Sequence, residues 1–294
     1  MIRRSFARAA LLLALVCTSV IAAAAQTLPV EPLKDSGSNI YPAFEGWYQN
    51  EDGSYTLLIG YYNRNKKQIL DVPIGPQNRI EPGGPDQGQP THFLVGRGWG
   101  TTAIRVPKDF GDKKLTWTLT TNGRTVSIPF GLTKGYQIEP FLDAAMGNTP
   151  PTLKFEANGA GITGPPPPLA VAFAVSGAAG TAIPLSVIIT DDGHEESPTG
   201  GGAAAGGGGG FQRPPRLSVT MSKFRGPGDV KFDNARPTVG KDGKATANAT
   251  FSLPGEYLIR VEGNDSSGVG GGGFQCCWTT AYFKVTVKAA GTGR

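Results

Sequence analysis

The stretch Ala245-Thr246-Ala247-Asn248-Ala249-Thr250-Phe251-Ser252-Leu253-Pro254-Gly255-Glu256-Tyr257-Leu258-Ile259-Arg260-Val261 decides the fold. Ala245, Ala247, Ala249, Phe251 and Leu253 occupy every second position, with Thr246, Asn248, Thr250 and Ser252 between them. That period of two sends the apolar set to one face of a strand and the polar set to the other, as a half-buried sheet requires. Pro254-Gly255 then supplies turn chemistry, and a second apolar alternation begins at Tyr257.

The same alternation recurs outward from this stretch. Leu217, Val219 and Met221 alternate with Ser218, Thr220 and Ser222, and Phe283, Val285 and Val287 alternate with Lys284, Thr286 and Lys288. Far upstream, Leu115, Trp117 and Leu119 alternate with Thr116, Thr118 and Thr120. Asp52-Gly53, Asn122-Gly123, Asp192-Gly193 and Asp242-Gly243 punctuate the strands with residues that tolerate tight-turn backbone angles. No segment after residue 25 carries a comparable helical stripe, although residues 142–146 are long enough for one helical turn. With 43 Gly and 24 Pro, the chain is too rich in both for a helical bundle. The glycines come in clumps, not at every third position, which excludes collagen. The expected fold is all-β: two antiparallel β-sandwich, immunoglobulin-like domains after a signal peptide.

Residues 1–25 read as that signal. Arg3, Arg4 and Arg8 precede an apolar run over residues 9–22, and Ala23-Ala24-Ala25 offers a small-residue cleavage site before Gln26. The run is shorter than the ~20 residues a membrane span needs, and no later stretch approaches one. Removal of the signal takes three arginines with it, so the formal charge falls from +5 to +2. No basic block remains to neutralise phosphates, so nucleic acid is not an expected partner. The expected organisation is 26–157 as an N-terminal β-sandwich domain, 158–168 as a Gly/Pro-rich linker ending in Pro165-Pro166-Pro167-Pro168, and 169–294 as the C-terminal domain. Seven strands thread onto the last region: A over 169–175, B over 183–190, C over 217–224, D over 230–233, E over 245–253, F over 256–262 and G over 280–288. Strands of the first half are expected over 55–62, 70–74, 101–106, 115–120 and 125–130.

The run from Phe251 through Pro254-Gly255 to Tyr257, Ile259, Val261 and Asp265 resembles the E–F corner of bacterial immunoglobulin-like and PKD-like modules. The resemblance implies that Tyr257 is a corner tyrosine whose hydroxyl bonds back to the backbone. It implies nothing about a ligand. The segments 41–65 and 106–123 resemble a family of exported bacterial proteins, and this likeness brings no activity with it.

Chemistry-bearing groups are sparse. Two histidines, His92 and His194, stand apart, and no nucleophile elbow, phosphate-binding loop or paired-histidine zinc motif occurs. The acidic run Asp191, Asp192, His194, Glu195 and Glu196 offers oxygens for a hard cation, but it lacks the alternating spacing of a calcium loop and reads more plainly as a solvated turn. Trp47, Tyr48, Tyr61 and Tyr62 beside Asn63, Arg64 and Asn65 would suit sugar binding. Tyr61, however, shares a face with Tyr55, Leu57 and Ile59, which points it into the core and only Tyr62 outward.

A near-repeat is more informative. Gly206–Gly210 precedes Phe211-Gln212, and Gly270–Gly273 precedes Phe274-Gln275. On the strand assignment these fall in the B–C and F–G loops, which share one end of an immunoglobulin-like sandwich. Asp191, Glu195, Phe211 and Phe274 are therefore the candidate binding tip; the plainer alternative is a pair of glycine-rich linkers. Cys276 and Cys277 are the two cysteines that remain after export, and they are the candidate vicinal disulfide. Regular strand geometry would oppose this bridge by sending the two side chains to opposite faces. The alternative is a packed Cys277 with an exposed Cys276.

These features predict a non-catalytic binding, adhesion or scaffold protein, exported to the periplasm, cell surface or medium. No catalytic residue, metal ligand or cofactor is expected, and the partner is a protein or glycan at the cell surface. The competing class is a carbohydrate-binding or accessory module of an extracellular hydrolase system, with a carboxylate site that the sequence does not locate.

Overall fold

The computed structural model describes residues 32–139, 141, 147–169, 172–192, 217–265 and 276–290. The strands are β1 Ile40–Gln49, β2 Tyr55–Asn63, β3 Leu70–Asp71, β4 Asn78–Glu81, β5 His92–Phe93, β6 Gly96–Val106, β7 Leu115–Thr121 and β8 Arg124–Phe130. A short 3₁₀ turn at Lys134–Tyr136 follows. Then come β9 Thr152–Lys154, β10 Ile162–Thr163, β11 Phe173–Ala178, β12 Ala182–Thr190, β13 Ser218–Arg225, β14 Val230–Phe232, β15 Lys244–Phe251, β16 Gly255–Asn264 and β17 Trp278–Lys288. The fold is all-β, as the alternation predicts. Residues 142–146 lie outside the described residues.

The first half places the antiparallel sheet β1-β2-β6 against the antiparallel sheet β4-β7-β8, with the β3-β5 ribbon beside them. Leu57, Ile59 and Tyr61 from β2 meet Trp117 and Leu119 from β7 in a shared core. Strand β1 was not expected from the sequence. Pro42 and Gly46 interrupt its pattern, and a bulge between Phe44 and Gly46 shifts its register against β2. Gly46 has φ +137°, and a Cβ there would stand 2.6 Å from the Ile138 side chain. The bulge thus requires glycine.

The second half packs the sheet β10-β9-β12-β15-β14 on the sheet β11-β17-β16-β13. Its core runs from Leu185, Val187 and Phe251 on one sheet to Ile259, Val261, Phe283 and Val285 on the other. Each such side chain contributes about 1.5–3 kcal/mol when fully buried. With β12, β15 and β14 as strands B, E and D, and β13, β16 and β17 as C, F and G, the order is that of an immunoglobulin-like sandwich. The two ends of the assignment differ from expectation. The strand expected over 169–175 is β11, which begins at Phe173 and pairs in parallel with β17. The neighbour of β12 is instead β9, a three-residue strand upstream of the prolines. Ile162–Thr163, within the expected linker, pairs with β9. Strands of two and three residues carry no readable alternation, which is why sequence reading passed over them.

The corner tyrosine forms as the resemblance implies. Tyr257 is buried, its hydroxyl donates to the Leu253 carbonyl at 2.8 Å, and its ring meets Phe251 edge-on at 4.8 Å. Tyr257→Phe is expected to lower stability by about 1 kcal/mol through that one lost hydrogen bond. Chemical denaturation measures this, and an unchanged midpoint would show that the hydroxyl contributes nothing.

Candidate functional site

The end of the second sandwich where the predicted tip belongs is built by cross-strand register. Ser218 at the start of β13 pairs with Asn264 at the end of β16, which pairs in turn with Trp278 at the start of β17. On the facing sheet, Ile189 near the end of β12 approaches Gly263, where a Cβ would stand 3.0 Å from its side chain. The chain therefore leaves β12 and β16, and enters β13 and β17, at one end. Asp191 is half-buried there, and exposed Asp192 accepts a hydrogen bond from the Thr149 hydroxyl at 2.5 Å. Glu195, Phe211 and Phe274 lie outside the described residues. Among the described residues no group of three His, Cys, Asp or Glu side chains is placed to hold a metal ion.

Cys276 and Cys277 sit at the same end, and both are buried, at 1% and 0% exposure. The alternative with Cys276 exposed is therefore not what is seen. A cis peptide joins them, their Cα atoms are 3.1 Å apart, and their sulfurs are in bonding contact. Each sulfur lies 3.7 Å from the Asn148 carbonyl oxygen. The Asn148 side-chain amide donates to Asp265 at 2.8 Å, and both side chains are buried. Asn148 belongs to the segment between the halves, and sequence reading gave no signal for its role.

The aromatic cluster of β1 and β2 is structural. Tyr61 is buried and packs edge-on against Phe93 at 5.0 Å, and burial pushes its phenol up to about 12. Its amide neighbours are spent internally: Asn63 donates to the Gln68 and Phe93 carbonyls, and Asn65 to the Ser38 carbonyl. Tyr62 alone of the pair is partly exposed, as expected.

A further concentration of charge lies at the seam between the halves, which form one compact unit over Asp35–Arg294. The end of β13 docks on the segment before β5 and on β3. Thr91 donates its backbone N–H to the Phe224 carbonyl at 3.2 Å. Arg225 forks onto both Asp86 oxygens at 2.8 and 2.9 Å and also reaches the Gln89 carbonyl. Lys223, its side chain only 5% exposed, donates to Asp71 Oδ1 at 2.9 Å, and His92 Nδ1 meets the same oxygen at 2.9 Å. Above this clasp, Tyr282 donates to the Thr101 carbonyl at 3.2 Å, and Trp278 packs with Leu58 and Phe141. Sequence reading missed the seam, because period-two alternation shows which face is covered and not by what.

Partial burial alone would raise the Asp71 carboxyl, but hydrogen bonds from His92 and Lys223, with their charges, outweigh it and hold the group below the usual aspartate range. A depressed folded value stabilises the fold above the unfolded aspartate value of about 4, and that contribution is lost as pH falls through the folded value. The melting temperature of the native protein should therefore drop more steeply below about pH 4 than that of Asp71→Asn. Parallel curves for the two proteins would show that Asp71 is not part of the clasp.

No protein-family model matches the chain, and no curated protein matches it. Among solved structures, the D00–D0 domain of intimin aligns over 88% of this chain and 98% of its own, at 13% identity and a TM-score of 0.26. Domains 4–9 of the surface-layer protein SbsC align over 87% of this chain and 31% of theirs, at 12% identity and a TM-score of 0.25. Tandem immunoglobulin domains of titin align over 86% and 100%, at 11% identity and a TM-score of 0.22. Scores this low carry no argument, so the immunoglobulin-like assignment rests on strand order. No helix among the described residues is long and apolar enough to cross a membrane.

Proposed function

We propose that this is a non-catalytic exported protein of the periplasm or cell surface, two β-sandwich domains that present a loop-built tip to a protein or glycan. One observation supports the tip above the others: the strands flanking residues 191–217 and 265–277 begin and end together at one end of the second sandwich. The clasp at the seam supports a scaffold duty, since half-buried charge pairs that cross it resist separation of the halves. Residues 1–25 act as a cleaved signal, and Asp191, Glu195, Phe211 and Phe274 as the contact residues.

The test is to export the protein from a bacterial host under its own residues 1–25, label it, and measure binding to intact cells and to a glycan array. Mature protein should begin at Gln26. The combined variant Asp191→Ala, Glu195→Ala, Phe211→Ala and Phe274→Ala should bind at least about tenfold more weakly, a change of ~1.4 kcal/mol. Equal binding would reject the tip, and release of sugar or peptide products from cell-wall material would overturn the non-catalytic reading.

The proposal includes a Cys276–Cys277 disulfide in the exported protein. Export leaves no other thiol in the chain, and the oxidising compartment favours pairing. Intact-mass measurement after denaturing alkylation should show no added label without reductant and two labels with it. Two labels without reductant would end the idea.

A further inference from the structure

We propose that the cleft at the seam is a saccharide site, in which the Asp71–Lys223 pair holds two adjacent hydroxyls of a neutral sugar. The cleft has a volume of about 630 Å³, within the range of small-molecule sites. Asp71 and Lys223 both line it. Lys223 is an ammonium with three donors, and among the described residues it uses one of them, on Asp71 Oδ1. Asp71 Oδ1 takes both Lys223 and His92, whereas among the described residues Asp71 Oδ2 receives no hydrogen bond, and the Asp71 side chain is 49% exposed. Unspent ammonium protons therefore stand beside an unspent carboxylate oxygen. The group that satisfies both at once carries a donor and an acceptor on neighbouring atoms: in a 1,2-diol, one hydroxyl donates to Asp71 Oδ2 while the next accepts from Lys223 Nζ.

Charge selects against an anionic ligand. Lys223 and Asp71 cancel, Arg225 is neutralised by Asp86, and Asp229 on the lining opposes an added carboxylate. Beside Thr91 and Ser252, the remaining side chains of the wall are apolar. Pro73, Ile74, Pro227 and Leu253 offer aliphatic surface for the C–H face of a pyranose ring, and Leu253 is 49% exposed. The wall is also rigid. Gly226 and Gly228 lie so close to Tyr257 that a Cβ would stand 2.1 Å from its ring at Gly226 and 2.7 Å from its hydroxyl at Gly228. The corner tyrosine thus fixes one side of the cleft. This site is separate from the tip and stands whether or not the tip binds anything.

Ligand-observed NMR on the whole exported protein tests the assignment with maltose, cellobiose, mannobiose and diacetylchitobiose, against cyclohexanecarboxylate and cyclohexylamine as ionic probes. At least one disaccharide should bind at millimolar concentration, and neither ionic probe should compete. Leu253→Arg, which fills the mouth from an exposed position, should weaken binding at least tenfold with an unchanged melting temperature. Asp71→Asn should weaken it by a similar factor, and the combined tip variant should leave it intact. A silent disaccharide panel, preferential binding of either ion, or full binding by Leu253→Arg would each overturn the proposal.

Discussion

Trp117→Ala is expected to remove about 5 kcal/mol of stability, a large share of the 5–15 kcal/mol that holds an ordinary domain together. Trp117 on β7 is fully buried, and its indole N–H donates to Asn78 Oδ1 at 3.0 Å. Asn78 is itself fully buried and donates to the Val72 and Pro90 carbonyls at 2.9 and 2.8 Å, so it anchors the two loops that flank β4. Truncation therefore acts twice. It opens a cavity between the two sheets, worth about 3–5 kcal/mol, and it strands a buried amide oxygen, worth another 1–3 kcal/mol if the site does not relax. Trp117→Phe keeps most of the volume and should cost only the hydrogen bond. Denaturant titration of both variants checks this, and a loss below about 2 kcal/mol for alanine would mean that the core collapses around the gap.

Trp278→Ala should uncouple the halves. Its ring packs on Phe141 at 4.5 Å and joins Leu58 in a small cluster apart from both main cores. The fit is close enough that a Cβ on Gly100 would stand 2.8 Å from the ring. Among the described residues the indole N–H has no hydrogen-bond partner, so its loss adds nothing, and the expected cost of about 3–5 kcal/mol is packing alone. Calorimetry of the native protein should show one transition, and the variant should show two, with the first half and the second half melting separately. A single transition that merely moves down would show that the charged clasp at Lys223 and Arg225 couples the halves without the tryptophan.

The strands that reach across a sheet were legible because each buries one face. The order β12, β13, β15, β16, β17 follows from residues such as Leu185, Val219, Phe251, Ile259 and Phe283 taking every second position. Tyr257 was legible because a corner tyrosine has a fixed place after a Pro-Gly turn. What escaped was anything set by contacts between segments distant in sequence. Asp71 and Lys223 are 152 residues apart, and neither stands out from its neighbours. Asn148, Asn78 and the bulge at Gly46 are likewise defined by what they touch. On the candidate tip, sequence placed the loops in the right connections, while the pairing of Ser218, Asn264 and Trp278 supplied their common end.

Strand β17 has a consequence for the order of events during synthesis. It lies between β11 and β16 in its sheet, and it also sends Trp278 and Tyr282 to the first half. Of the strands described, it leaves the ribosome last. Until it does, β11 and β16 lack their common neighbour and the seam lacks two of its largest side chains. A nascent chain short of residue 278 can close the first half on its own but not the second. The second half thus stays open until β17 has been made, so the two halves close in the order in which they are synthesised.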